Sequence, residues 1–137
     1  MSVETIGDGI KTRLETISAL KRVYASDELP DSLNRFPCAV IMPSEITYQT
    51  TFTDIEPFII FRIIVIVSKQ NQPSALSKLL DYIAESGTNS VLAAINADST
   101  LDSSASGCIL DSNSGFGAIP WGNINYLGTE FNLRVWT

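Results

Sequence analysis

The sequence predicts an α+β domain, a mostly antiparallel mixed sheet with helices packed on one face. Three observations carry this. Apolar residues recur at helical spacing in two separate places, near the N-terminus and after Ser68. Strand-like runs cluster between and after those places instead of alternating strictly with them. At 137 residues the chain is long enough for one domain with a real core and too short for two ordinary ones, so residues 1–137 are read as a single domain.

The elements follow in the order α-β-β-β-β-α-α-β-β. Val3, Ile6, Ile10, Leu14 and Ile17 form one helical stripe, with Glu4, Asp8, Lys11 and Glu15 opposite and Ser2 as N-cap. A short strand at Lys21–Ala25 precedes SDELPDSLNRFP, a loop with Pro30 and Pro37 as breakers. CAVIMP, bounded by Pro37 and Pro43, reads as one strand, and EITYQTTF, with Ile46, Tyr48, Thr50 and Phe52 alternating, as the next. PFIIFRIIVIVS completes a three-stranded meander, and residues 44–57 form a hairpin able to protrude past the sheet. Leu76, Leu79, Leu80 and Ile83 then mark a helix with Pro73 in its first turn, ending at Gly87. Thr88 caps a second helix carrying Val91, Leu92 and Ile95. Asp98–Gly107 is small and polar, hence a loop. Cys108–Leu110 and Tyr126–Trp136 supply the closing strands, the latter alternating Phe131, Leu133 and Val135 with Glu130, Asn132 and Arg134.

Composition narrows function more by what it lacks than by what it holds. Nine basic against fifteen acidic residues give a net charge of −6, the wrong sign for a surface that grips phosphates. The chain has no histidine, which removes the commonest general base and metal ligand. Two cysteines, Cys38 and Cys108, are too few for a disulfide scaffold or a zinc site and read as small strand residues. The GDG at Gly7–Gly9 lies inside a helical pattern, and SGFG at Ser114–Gly117 precedes no helix, so neither matches a phosphate loop. The Asp27/Glu28 and Asp54/Glu56 pairs fall in turns, where Asp is favoured anyway. The expectation is a protein with no catalytic, metal or cofactor site. The polar, acidic N-terminus is unlike a signal peptide, and the apolar run at Pro57–Ser68 is shorter than the about 20 residues of a spanning helix. Synthesis and use in a reducing cytoplasm, away from membranes, is the corresponding expectation.

The run at Pro57–Ser68 points to a function. Its strand has one wholly apolar face, Ile59, Phe61, Ile63, Val65 and Val67. Phe58, Ile60, Arg62, Ile64 and Ile66 make the other. The helices can cover one face, and the remaining strands only widen the sheet. A bare apolar face is seldom tolerated by a lone soluble chain, so the second face is expected to meet a partner or a copy of itself. Ile60, Arg62 and Ile64 are the candidate contact residues, with Arg62 paired to a carboxylate across the contact. The alternative is a face closed within the fold, with Arg62 snorkelling to an edge. On the hairpin, Tyr48, Gln49, Thr50 and Phe52 mix aromatic and polar groups and are candidates for docking a partner.

Two segments resemble phage tail-terminator and tail-completion proteins. In DYIAESGTNSVLAAI, Gly87, Ser90, Val91, Ala94 and Ile95 match a two-helix crossover in which an aliphatic helix ends at glycine before a short second helix. In GNINYLGTEFNLRVW, Tyr126-Leu127-Gly128 followed by Phe131, Leu133 and Val135 matches the closing strand. The resemblance implies a homohexameric ring that caps the tail tube, stops its polymerisation and joins the tail to the head connector. It implies as partners the chain itself, the tube protein and the head–tail connector, with DNA only passing through the lumen, and a place at the head-proximal end of the virion tail after synthesis in the bacterial host. A lumen passed by DNA should be neutral or acidic, since basic residues would hold the strand. Asp27, Glu28 and Asp31, or Asp98, Asp102 and Asp111, are the candidates for its lining. A neighbouring neck or connector protein, and a small protein-binding module, remain the alternatives.

Overall fold

Ile6, Ile10 and Leu14 stand one helical turn apart, so their side chains share a face, and all three are fully buried. They belong to α1 (Val3–Leu14) in a computed structural model that describes residues 3–26, 35–48, 58–69, 76–122 and 124–136. Beyond the helix a tight turn, Ile17 N–H to Leu14 O at 3.0 Å, brings Ile17 back into the same core. The chain continues through β1 (Arg22–Tyr24), β2 (Cys38–Thr47), β3 (Phe58–Lys69), α2 (Leu76–Ile83), α3 (Val91–Asn96), β4 (Gly107–Trp121) and β5 (Ile124–Trp136). The described strands form one sheet in the order β1-β2-β3-β5-β4. Only β1 and β2 run parallel; the other three pairings are antiparallel. The architecture is therefore α+β with a mostly antiparallel mixed sheet.

All three helices cover one face. Ile59, Phe61, Ile63, Val65 and Val67 of β3 meet Ile6, Ile10, Leu14 and Ile17 from the first helix and its turn, Leu79 and Tyr82 from α2, and Val91 and Ile95 from α3. Each such side chain, taken fully out of water, contributes about 1.5–3 kcal/mol to the driving force. Phe131, Leu133 and Val135 of β5 lie beside Ile63, Phe61 and Ile59 in register, so the alternation in the closing strand is this face continued. Two glycines allow close approach. A Cβ on Gly9 of α1 would overlap the carbonyl of Leu101 and the hydroxyl of Ser104, so that glycine lets the loop before β4 lie against the helix. A Cβ on Gly128 would overlap the Val65 carbonyl, where β3 and β5 slip register past Ile66.

The structure departs from the sequence expectations in four places. CAVIMP and the start of EITYQTTF are not two strands but one, β2, with Pro43 inside it opposite Phe61. Proline is tolerated because β1 pairs only as far as Val40 and the ladder with β3 shifts register between Pro43 and Glu45, so no described strand asks for the missing N–H. The order is thus α-β-β-β-α-α-β-β. β4 covers 15 residues, far beyond Cys108–Leu110; register shifts at Leu110/Ser112 and Ser114/Gly117 let its small polar stretch follow β5. Ser90, not Thr88, caps α3, its hydroxyl accepting from Ala93 N–H at 3.1 Å and donating to the Ala84 carbonyl. Leu80, placed in the buried stripe of α2, is 51% exposed. Pro73, the N-cap Ser2 and the hairpin residues Gln49, Thr50 and Phe52 lie outside the described residues.

Candidate functional site

The second face of the sheet divides into a closed half and an open half. In the closed half, Ile64 and Ile66 of β3, Cys38 and Val40 of β2, Tyr126 of β5 and Ile119 of β4 are all buried, with Tyr24 of β1 at the rim. Phe36, Met42 and Trp121 are partly buried against them, and the Phe36 and Tyr126 rings meet at 5.6 Å. The chain covers this half itself. Ile64, expected at a contact with another molecule, is only 2% exposed and belongs to this inner cluster, because the ends of β4 and β5 bring Ile119 and Tyr126 over it. The sequence could not show this, since it depends on β4 running on to Trp121.

The open half holds Phe58, Ile60 and Arg62 of β3, with Trp136, Arg134 and Asn132 opposite them on β5. None of these six is buried. Phe58 and Trp136 face each other at 6.4 Å, and the Arg134 guanidinium lies over the Phe58 ring at 5.3 Å. Further out on β4, Ile109 pairs with Arg134 in register and is 54% exposed. The charges of this half are already matched within the chain. Arg62 Nη2 donates to Glu130 Oε2 at 2.6 Å and its Nε to Oε1 at 3.3 Å, a two-pronged pair. Those hydrogen bonds to Glu130 raise the Arg62 pKa further, partial burial opposing them and the carboxylate charge adding to them. Arg134 pairs with Asp111 at 3.3 Å, and its Nε has no acceptor among the described residues.

Arg62 was expected to seek a carboxylate on another molecule. Its partner is Glu130 of the same chain, two residue pairs along the neighbouring strand, where Glu130 stands opposite Ile64. The alternation of β5 made Glu130 visible as an outward residue; its closeness to Arg62 needed the antiparallel register. With both side chains part-exposed, at 38% and 22%, the pair contributes about 0–1 kcal/mol to the fold. It neutralises an otherwise apolar surface more than it holds the domain together.

The other candidate residues are dispersed. Tyr48 follows β2 and is 75% exposed, beyond the pairs Ile46–Ile59 and Thr47–Phe58 that end the described β2–β3 ladder. Asp27, Glu28 and Asp31 lie outside the described residues. Asp111 is engaged by Arg134 on the open half. Asp98 and Asp102 sit in the loop against α1, on the helical side of the sheet. There Asp98 accepts from Thr100 N–H and hydroxyl and from Asp102 N–H, which holds its carboxyl below the usual range. Leu101, Asp102 and Ser103 turn through positive φ in that loop, with Leu101 anchored in the core. The Asp98–Asp102 group and Asp111 thus belong to opposite sides of the sheet.

Burial pushes the Cys38 thiol up to about 12, and burial together with the charge of Asp98 pushes Cys108 to about 11, so both environments favour the thiol over the thiolate. Two surface hollows are formed by described residues. One is bounded by Asp81, Ser86, Thr88 and Asn89, the other by Thr5, Asp8, Thr12 and Asp102, and in both the carboxylates are exposed to water. Among the described residues no group of three His, Cys, Asp or Glu is placed to hold a metal, and no helix is long and apolar enough to cross a membrane. No protein-family model matches the chain, and no curated protein is similar enough in sequence to count as a relative.

Proposed function

We infer that this chain is a structural ring protein of a phage tail, a tail terminator that closes on the end of the tail tube, stops its growth and presents a surface to the head connector. One observation carries the reading: the open half of the second sheet face. It displays Phe58, Ile60, Trp136 and Ile109 beside charges that cancel within the chain, on a molecule whose net charge is −6. Copies carrying that charge repel one another on average, which favours contact through patches whose own charge is balanced. A contact between two different patches, repeated with a closing rotation, makes a ring. The resemblance of the Gly87–Ile95 crossover and of the Tyr126–Val135 strand supplies the family and the hexameric number.

In this reading the ring and the tube protein form the lower contact, with Tyr48 and the hairpin beyond it as the docking element. The connector binds the opposite rim, and DNA passes a lumen that is neutral or acidic and does not retain it. The test is polymerisation of the cognate tube protein with and without this chain, viewed by electron microscopy. Tubes that stop growing and carry a ring on one end are expected. Unchanged tube lengths would overturn the reading, and binding to the connector alone would point to a neck protein.

A further inference from the structure

We propose that the outer edge of β4 pairs, strand to strand, with the outer edge of β2 in the next copy of this chain, Gly107–Leu110 against Glu45–Thr47. The proposal rests on the ring reading, which requires two different patches. The open half with its β4 border is the first, and this edge of β2 is the second. The two sides of the sheet are built differently. At one side β1 is three residues long and pairs with β2 only as far as Val40. The Ser26 hydroxyl donates to the next carbonyl, that of Ile41, and Pro43 to Ile46 then stand exposed. At the other side β4 runs for 15 residues without a lysine or arginine, and no described strand pairs with its outer edge. Soluble proteins ordinarily blunt such an edge, because its outward N–H and C=O groups invite another strand. The first four residues of β4 keep an unbroken register with β5, and a Cβ added at Gly107 would meet nothing.

Two features of the topology fit these edges to one another. The first is height along the strands. Thr47, Phe58, Trp136 and Gly107 form one row straight across the sheet; Ile46, Ile59, Val135 and Cys108 form the next, and Glu45, Ile60, Arg134 and Ile109 the one after. Both edges therefore lie level, at the end of the sheet that carries the open half. A head-to-tail contact closes into a ring when the rotation carries no climb and makes a filament when it does, so level edges suit a ring. The second feature is direction. Three successive antiparallel pairings lead from β2 to β4, so the two run in opposite senses. Turning a copy about an axis along the strands keeps that sense, and β4 then meets the neighbour's β2 antiparallel, the more stable pairing per residue. Pro43 and the register shift behind it limit the new ladder to Glu45–Thr47, three residues, as many as join β1 to β2. Ile46, 37% exposed in a row of the helical face, and Ile109, 54% exposed in a row of the open half, each gain a covering strand. Tyr48 and the hairpin beyond it are left to the tube.

Amide hydrogen exchange on the wild-type chain, free and assembled on tube protein, reads the two edges without any substitution. Segments 42–48 and 106–112 should both exchange roughly tenfold or more slowly in the ring than in the free chain. Ile46→Lys, checked for native circular dichroism and read by native mass spectrometry, adds a side-chain arm. Ile46 lies outside the open half, so this variant spoils the edge and spares the face. Lysine also lowers the negative charge of the chain, so weaker association could not come from added repulsion. The variant should need a concentration roughly tenfold or more above wild type to associate. Rings whose two edge segments exchange as fast as in the free chain overturn the strand pairing while the ring stands, and so does Ile46→Lys assembling like wild type. If the wild type forms no ring even with tube protein, the ring reading falls and this contact with it.

Discussion

The two faces of β3 carry nearly the same residues and have different fates. On the helical side Ile59, Phe61, Ile63, Val65 and Val67 are buried by three helices. On the other side the strand is buried only from Ile64 onward, while Phe58, Ile60 and Arg62 stay part-open. Hydrophobicity does not distinguish them, since isoleucine and phenylalanine occur on both. What distinguishes them is which other segment of the chain reaches each position. The difference shows that the same residue type can be enclosed by the fold at one position and left part-open at the next.

That comparison is tested hardest by substitutions on adjacent residues. Phe61→Ala should cost about 3–5 kcal/mol of folding stability, because it empties a fully enclosed site. Ile60→Ala, next to it, should cost about 1–2 kcal/mol, since its side chain is already part-exposed. Chemical denaturation of both variants measures this. Equal losses would mean that Ile60 is as much a core residue as Phe61, and the open half would lose its claim to a partner.

Gly128→Ala is the next largest. The added methyl meets backbone of β3 at Val65 and Ile66, which cannot move aside as a side-chain end could, so a loss of about 1–3 kcal/mol is expected. The same substitution at Gly107, where an added Cβ meets nothing, should be tolerated. Thermal unfolding of the two variants separates a crowded ladder position from a spacious one. Ser90→Ala should cost about 1 kcal/mol by removing the cap of α3, which can be followed as lost helix signal and lowered Tm. Thr88→Ala, at the position the sequence favoured as cap, should change little.

The smallest folding effect is expected at the Arg62–Glu130 pair. Removing either charge should alter stability by less than about 1 kcal/mol, because both groups are partly solvated. In assembly the effect should be larger, since a contact with a neighbouring copy would desolvate whichever charge is left alone. Glu130→Gln compared in denaturation and in native mass measurements gives both numbers. A variant that loses stability but assembles normally would assign the pair to the fold.

Much of the fold was legible before the structure because its signals are local. The Ile6–Ile10–Leu14 stripe and the alternation of Phe131, Leu133 and Val135 each specify an element and its buried side. The misjudged elements depend on partners. Pro43 looked like a strand end, and only the short reach of β1 explains its place within β2. The serine- and glycine-rich β4 has little strand preference of its own and is held by β5. In the candidate site, the open face and Arg62 were visible in the sequence, and the partner of Arg62 was not. Glu130 lies 68 residues away, and two antiparallel strands must align before the two side chains can meet. Ile64, a contact candidate from the sequence, is enclosed within the chain for the same reason, since Tyr126 and Ile119 reach it only through the β4–β5 pairing.

The central claim, that a second copy covers the open half in the assembled protein, is tested most directly by oxidative footprinting of Trp136 across a concentration series, with native mass spectra recorded on the same samples. The account predicts that labelling of Trp136 and Phe58 falls as the ring mass appears, while Trp121, partly buried in the closed half, changes little. Ring formation with Trp136 labelled as readily as in the free chain would contradict it.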